Sequence, residues 1–155
     1  MDKDKRQTLL DIWETHNNFH KLMAEYDSRL HTYGEHILYQ AEAHLIDLIG
    51  YNPGITVTDL AKEVGKTPSA CSQVVGRLKN KGWVKKRKNV NNNRQFKLEL
   101  TESGKKVFKD HVNYDREQQE LVFEKLSQYS ASDLLIYLEI QQHINNLYSE
   151  VVDNT

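Results

Sequence analysis

A mainly α-helical fold built on a winged helix-turn-helix is predicted by three features of this sequence. Two short, well-capped helical segments follow one another between residues 56 and 81, separated only by Gly65 and Lys66. Behind them, residues 83–100 read as a two-stranded β wing loaded with positive charge. Long amphipathic stretches then occupy both ends of the chain, as expected of helices that meet a second copy and form a dimerisation region. The expected organisation is a winged unit at 38–102, with a discontinuous helical dimerisation region from 1–37 and 103–155.

The elements follow in order. Leu9, Ile12, Trp13, Phe19, Met23, Tyr26 and Leu30 recur at helical spacing, predicting one long helix over residues 4–31 that ends before Gly34. A second helix covers about 40–49 and is stopped by Gly50 and the Asn52-Pro53-Gly54 turn. Thr56 is a good N-cap, with Asp59 three residues on as its capping-box partner; Val57, Leu60, Ala61 and Val64 line one face of that helix. Thr67 and Pro68 open the next, where proline at the first helical position loses nothing by lacking an N–H. Two such helices joined by a tight glycine-containing turn are the helix-turn-helix signature.

The helix from 68 ends at Gly82. Trp83 to Lys88 then starts a strand, and Phe96, Leu98 and Leu100 alternate with Lys97 and Glu99 in the period of a half-buried strand. Asn89 to Asn93 between them is turn chemistry, since asparagine tolerates left-handed backbone. Thr101 caps a long helix running to about 127. Ser130 with Asp133 opens the last one, with Leu134, Leu138, Ile144, Leu147, Tyr148 and Val151 on its stripe.

Composition narrows the function classes. At 155 residues and a mean hydropathy of −0.73, the chain suits one soluble domain, or two small subdomains sharing a core, whose helices bury part of their apolar surface between subunits. No apolar run approaches membrane-spanning length and none opens the chain, so a cytoplasmic, non-membrane protein is expected. The lone Cys71 excludes an intrachain disulfide. No nucleophile motif, glycine-rich phosphate loop or paired carboxylates appear, so an enzyme is not expected.

Charge points the other way. Between Arg77 and Lys97 stand nine Lys/Arg and no Asp or Glu, in a chain of formal net charge −1, which leaves the remaining residues at −10. A near-neutral total conceals a surface suited to a polyanion. On the helix from 68, Ser69, Ser72, Gln73, Gly76 and Arg77 share one face. It offers small polar groups, an amide able to contact adenine bidentately, and a glycine where backbones can approach. Ala70, Cys71, Val74, Val75 and Leu78 form the opposite, inward face, where Cys71 reads as a small buried hydrophobe. Lys86, Arg87 and Lys88 suit phosphate contacts, and Arg94 at the hairpin tip suits a narrow minor groove. With Thr67 and Asn92, these are the candidate DNA contacts. A winged helix used purely as a protein-interaction module is the rival reading.

The run TVTDLAKEVGKTPSACSQVVGRLKNKGWVKK followed by LELTESGKKV resembles the multiple antibiotic resistance regulator (MarR) family, with its Leu-Ala helix, recognition helix, Arg-Leu-x-x-x-Gly and Leu-Thr-x-x-Gly. The element order extends the resemblance over nearly the full chain. It implies a homodimeric transcription regulator, a repressor on a pseudo-palindromic double-stranded operator, released by an effector bound between the dimerisation and winged lobes. Leu60, Ala61, Val75, Leu78 and Leu100 would be core, Arg77 and Arg94 functional. The family usually has Asp-x-Arg at the wing tip; here Asn92-Asn93-Arg94 stands, without the acid that would pair with the arginine.

Seven histidines raise the question of what is sensed. His16 and His20 lie at i, i+4 on the first helix, and with His44 and His111 are candidates to line an effector pocket. Zinc takes histidine and carboxylate ligands, so His44, His111 and Asp115, one turn past His111, are candidate metal ligands. Zinc-sensing members of the family place histidines similarly to His44 and His111, while a histidine at the place of His44 also occurs in members that sense lipids or phenolic compounds. A small organic effector is the first expectation and zinc the second.

Overall fold

The computed structural model describes residues 2–89 and 92–153, leaving the side chains of residues 89, 92–95 and 153 outside the described set. The elements run α1 (Lys3–Ser28), β1 (Leu30–Tyr33), β2 (His36–Tyr39), α2 (Gln40–Tyr51), α3 (Val57–Glu63), α4 (Pro68–Asn80), β3 (Val84–Asn89), β4 (Asn92–Leu100), α5 (Glu102–Leu126) and α6 (Ala131–Asp153). The expected winged helix-turn-helix with long terminal helices is present. The chain separates into two compact units, Met1–Tyr114 and Asp115–Thr155.

In the first unit the core gathers around the helix-turn-helix. Ile46 and Ile49 of α2, Leu60 of α3, Val75 and Leu78 of α4, Leu98 of β4 and Val107 of α5 are fully buried. At ~1.5–3 kcal/mol for each fully buried large aliphatic side chain, against ~1 kcal/mol net for a hydrogen bond, this cluster outweighs any single polar contact in the unit. Polar contacts set the geometry instead. Thr56 Oγ1 accepts from the Asp59 backbone N–H at 3.2 Å and the Asp59 carboxylate accepts from the Thr56 backbone N–H at 3.4 Å, closing the expected capping box, and also from the Thr56 hydroxyl at 2.7 Å. That hydroxyl, followed by the backbone N–H of Thr56, holds the Asp59 carboxyl below its ordinary value. The helix α4 ends in a Schellman arrangement. Gly82 takes φ +77°, its N–H reaches the Lys79 carbonyl at 2.9 Å, and the Trp83 N–H reaches that of Leu78 at 3.0 Å.

The wing is an antiparallel pair in the register Val84↔Leu100, Lys86↔Leu98 and Lys88↔Phe96. It is tied to the helix-turn-helix by a short third segment: the Gly54 N–H donates to the Leu98 carbonyl at 2.8 Å and the Leu98 N–H to that of Ile55 at 2.9 Å. At the far end of β4, the Thr101 hydroxyl donates to the Gly82 carbonyl at 2.6 Å and accepts from the Gly104 N–H at 3.0 Å, so one residue caps α5 and docks it on the α4–β3 turn.

One stretch departs from expectation. The first helix stops at Ser28, and residues 30–39 form an antiparallel hairpin with Leu30↔Tyr39 and Tyr33↔His36 paired. Gly34 at φ +58° and Glu35 make its two-residue turn, and a glycine at the first central position is what a type II′ hairpin requires. Tyr33 and Leu38 are fully buried while Leu30, Ile37 and Tyr39 are about half exposed. Apolar residues therefore fall on both faces of the hairpin, and the alternation that identifies a strand is lost.

α1 buries no residue: Leu9, Ile12, Trp13, Phe19 and Leu22 are each 44–56 % exposed. In the second unit, Ser127 to Ser130 join the end of α5 to α6. The Ser130 side chain accepts from the Asp133 N–H at 3.2 Å while Asp133 accepts from the Ser130 N–H at 3.1 Å. No residue of α6 between 131 and 152 is buried, although Leu135, Ile136, Leu138, Ile140 and Leu147 are apolar. Among the described residues, no helix is long and apolar enough to cross a membrane.

Candidate nucleic-acid interface

The helix α4 is set by its two faces. Cys71, Val75 and Leu78 are buried at spacings of four and three and hold it against α2 and α3, while Ser69, Ser72, Gln73 and Arg77 are exposed on the other side. Thr67 caps the helix, its hydroxyl accepting from the Ala70 N–H at 3.2 Å. Its candidate role as a DNA contact therefore sits on a residue already fixed in place by the helix start. Gly76 has no heavy atom within 4 Å of where a Cβ would stand, so that face is open to a close approach.

Ala70 is exposed rather than inward. The inner side of the first turn of α4 is not filled by core: a cavity of about 400 Å³ opens there, lined by Asp27, Gln40, His44, Ala70, Cys71 and Val74 among others. Cys71 is 2 % exposed, and burial pushes its thiol above the ordinary value, with Lys66 pulling weakly the other way. The reactive thiolate is disfavoured there.

The wing divides its charge between two faces. Strand alternation puts Lys86 and Lys88 on the side of Leu98 and Phe96, and Lys85 and Arg87 on the side of Glu99 and Lys97. Glu99 Oε2 lies 3.1 Å from Arg87 Nε and 3.3 Å from Lys85 Nζ. A second carboxylate, Glu42 of α2, lies 2.9 Å from Lys81 Nζ and 3.5 Å from Arg77 Nε. Four of the nine cations of the 77–97 window are thus matched by two acids from outside it. Lys86, Arg87 and Lys88 are all exposed. The Asn92 and Arg94 side chains, candidates at the wing tip, lie outside the described residues.

The candidate sensor histidines fall into two separate pairs. His16 and His20 make an edge-to-face contact on α1 with ring centroids 4.7 Å apart. His44 of α2 and His111 of α5 form another, 6.0 Å apart. Around His111, which is fully buried, the structure adds groups the sequence did not single out. Asp47 Oδ2 is 2.7 Å from its Nδ1, and the Tyr33 ring is 4.7 Å away. The Tyr33 hydroxyl donates to Gln40 Oε1, and Gln40 Nε2 donates to His44 Nε2 at 2.9 Å. The Tyr26 and Tyr114 hydroxyls meet at 2.9 Å. Gln40, His44 and Asp47 recur at i, i+4 and i+7 on α2, the one sequence signal that would have found Asp47. Asp115 follows His111 by one turn along α5 and belongs to the second unit.

Residues 39–95 match the family model described as MarR family. An HTH-type transcriptional regulator of Bacillus subtilis strain 168, YhjH, is 24 % identical over 98 residues, which are 63 % of this chain and 56 % of that protein. Among solved structures, Streptococcus pneumoniae FabT in complex with DNA superimposes with a TM-score of 0.68 at 21 % identity, covering 97 % of this chain and 99 % of that one. Lactococcus lactis ZitR, a zinc-responsive MarR family member, does so with a TM-score of 0.74 at 16 % identity, covering 92 % and 98 %.

Proposed function

We propose that this chain, whose residues 39–95 match the MarR family model, is a homodimeric, cytoplasmic DNA-binding transcription regulator, a repressor released by an effector. The observation that carries this reading is the exposed polar face of α4 (Ser69, Ser72, Gln73 and Arg77) standing beside the exposed cations Lys86, Arg87 and Lys88 of the wing. The helix enters the major groove, where Gln73 reads a base edge and the serines reach bases or phosphate. The wing lies along the backbone, and Arg94 enters the minor groove. In a dimer the two recognition helices meet successive major grooves on a pseudo-palindromic duplex, about one helical turn apart. FabT, described in complex with DNA, supports this placement by analogy of fold.

Homodimerisation follows from the apolar side chains that α1 and α6 leave exposed, a surface that would be a liability on a monomer. The effector would occupy the cavity under α4 and the adjoining His44–His111 cluster, where a bound molecule shifts the population between two dimer shapes. Fluorescence anisotropy with a labelled duplex from upstream of its own gene, alongside mass by light scattering, tests the reading. A dimer that binds the duplex at low salt is expected; a dimer indifferent to DNA at every salt concentration would favour the protein-interaction reading.

A metal-responsive regulator is the second reading, favoured by the approach of Asp47 Oδ2 to His111 Nδ1 beside His44. Zinc accepts that set of nitrogen and carboxylate donors. Titration calorimetry with zinc on the intact protein should then show binding that His111→Ala abolishes, and wild-type protein without zinc affinity in the micromolar range or better would remove the reading.

A further inference from the structure

Glu42 is the feature of this molecule that the DNA-binding reading does not yet use. A glutamate in the first turn of a helix is ordinarily a solvated capping residue, yet this one is 2 % exposed. Its Oε2 accepts from the Tyr39 N–H at 3.3 Å, which fixes the carboxylate on the start of α2. Oε2 also accepts from Lys81 Nζ at 2.9 Å, and Oε1 lies 3.5 Å from Arg77 Nε. Both cations stand on the last turn and C-cap of α4, four residues apart, so a single buried acid grips the end of that helix at two points. A carboxylate withdrawn from water is stable only while its cationic partners stay in place, which makes the grip stiff. Lys81 is held from its other side as well, with Nζ 4.9 Å from the centre of the Trp83 ring.

The geometry at Arg77 is specific. Guanidinium carries five N–H donors in a planar fork, and the contact to Glu42 engages the Nε edge. The side chain is 54 % exposed, on the face of α4 that also presents Gln73. We propose that Glu42 is a positioning residue for DNA recognition: it orients the Arg77 fork toward the nucleic acid and, through Lys81, fixes the end of the recognition helix. The proposal rests on the reading of α4 as the DNA-contacting helix. It also explains why an acid sits next to a surface that meets a polyanion. By charge alone Glu42 opposes binding, so its contribution has to be geometric.

A double-mutant cycle separates geometry from charge. The probe is a duplex selected by the full-length wild-type protein from a random-sequence pool, with unselected pool DNA as reference, at one fixed salt concentration. Glu42→Gln should weaken binding of the selected duplex about tenfold, the scale of one lost charge-assisted hydrogen bond. Binding to pool DNA should stay equal or tighten, because a negative charge has gone. Arg77→Gln should weaken the selected duplex about tenfold in the wild-type background but under about threefold in the Glu42→Gln background, the mark of two residues acting as one unit. Additive losses, or a Glu42→Gln protein that discriminates as well as wild type, would overturn the proposal. If Glu42→Gln does not fold by circular dichroism, Arg77→Lys carries the test, since it changes an exposed residue and keeps the charge. A loss of about fivefold is expected because an ammonium cannot serve an acid and a phosphate through a fixed fork, and unchanged affinity would overturn the proposal. Wild-type protein that selects no duplex at all is the separate failure of the DNA reading itself.

Discussion

Gly104→Ala should lower the stability of this protein by about 3 kcal/mol, the upper end of the usual range for overpacking. A methyl at Gly104 would stand 2.0 Å from the Trp83 carbonyl oxygen and 2.8 Å from its carbon. Those atoms are backbone, held in turn by the Thr101 N–H at 3.0 Å, so nothing flexible can give way. The same methyl at Gly76 meets nothing within 4 Å and replaces a poor helix former, so Gly76→Ala should gain up to about 1 kcal/mol and serves as the control. Thermal unfolding by circular dichroism would read the difference as a fall of roughly 10 °C for Gly104→Ala, given ~2–4 °C per kcal/mol in a chain of this size. A melting temperature within about 2 °C of wild type would mean that the α5 start and the α4–β3 turn are not in contact as described.

Salt should affect DNA affinity more than any single substitution. Lys86, Arg87 and Lys88 from each protomer would give about six phosphate-directed cations in the proposed dimer, and a log–log salt slope of about −5 follows from counterion release. Affinity should then fall about 10³-fold between roughly 50 and 200 mM monovalent salt. Arg87 is already shared with Glu99 at 3.1 Å, so Glu99→Gln should raise affinity while steepening the slope. Anisotropy titrations across a salt series measure both, and a slope shallower than about −2 would show that the wing does not lie along the backbone.

The charge of the 77–97 window was plain in the sequence, but how it is spent was not. Alternation alone assigns Lys86 and Lys88 to one face of the wing and Arg87 to the other. That Arg77 and Lys81 are gripped by an acid 39 residues before Lys81, on a different helix, has no local signal. The same limit applies around His111. Its own burial and the approach of Asp47, at 2.7 Å, depend on how α5 packs against α2. The hairpin at 30–39 was hidden for another reason: Leu30 continues the helical spacing of Met23 and Tyr26, so Gly34 reads as a helix end although it turns a hairpin.

By itself the sequence determined the helix-turn-helix and the wing, because what specifies them is local. Thr56 with Asp59, Thr67 with Pro68, Gly82 and the alternation of Phe96, Leu98 and Leu100 each act within a few residues of chain. Capping, turn and pleat energies depend on nearest neighbours and so can be read in one dimension. Only the tertiary structure decided which charges face outward, that Glu42 lies buried against the end of α4, and that Gly104 is a glycine because the Trp83 carbonyl stands where its side chain would be. Those outcomes are set by burial and by distances between elements remote in sequence, which no period or spacing encodes.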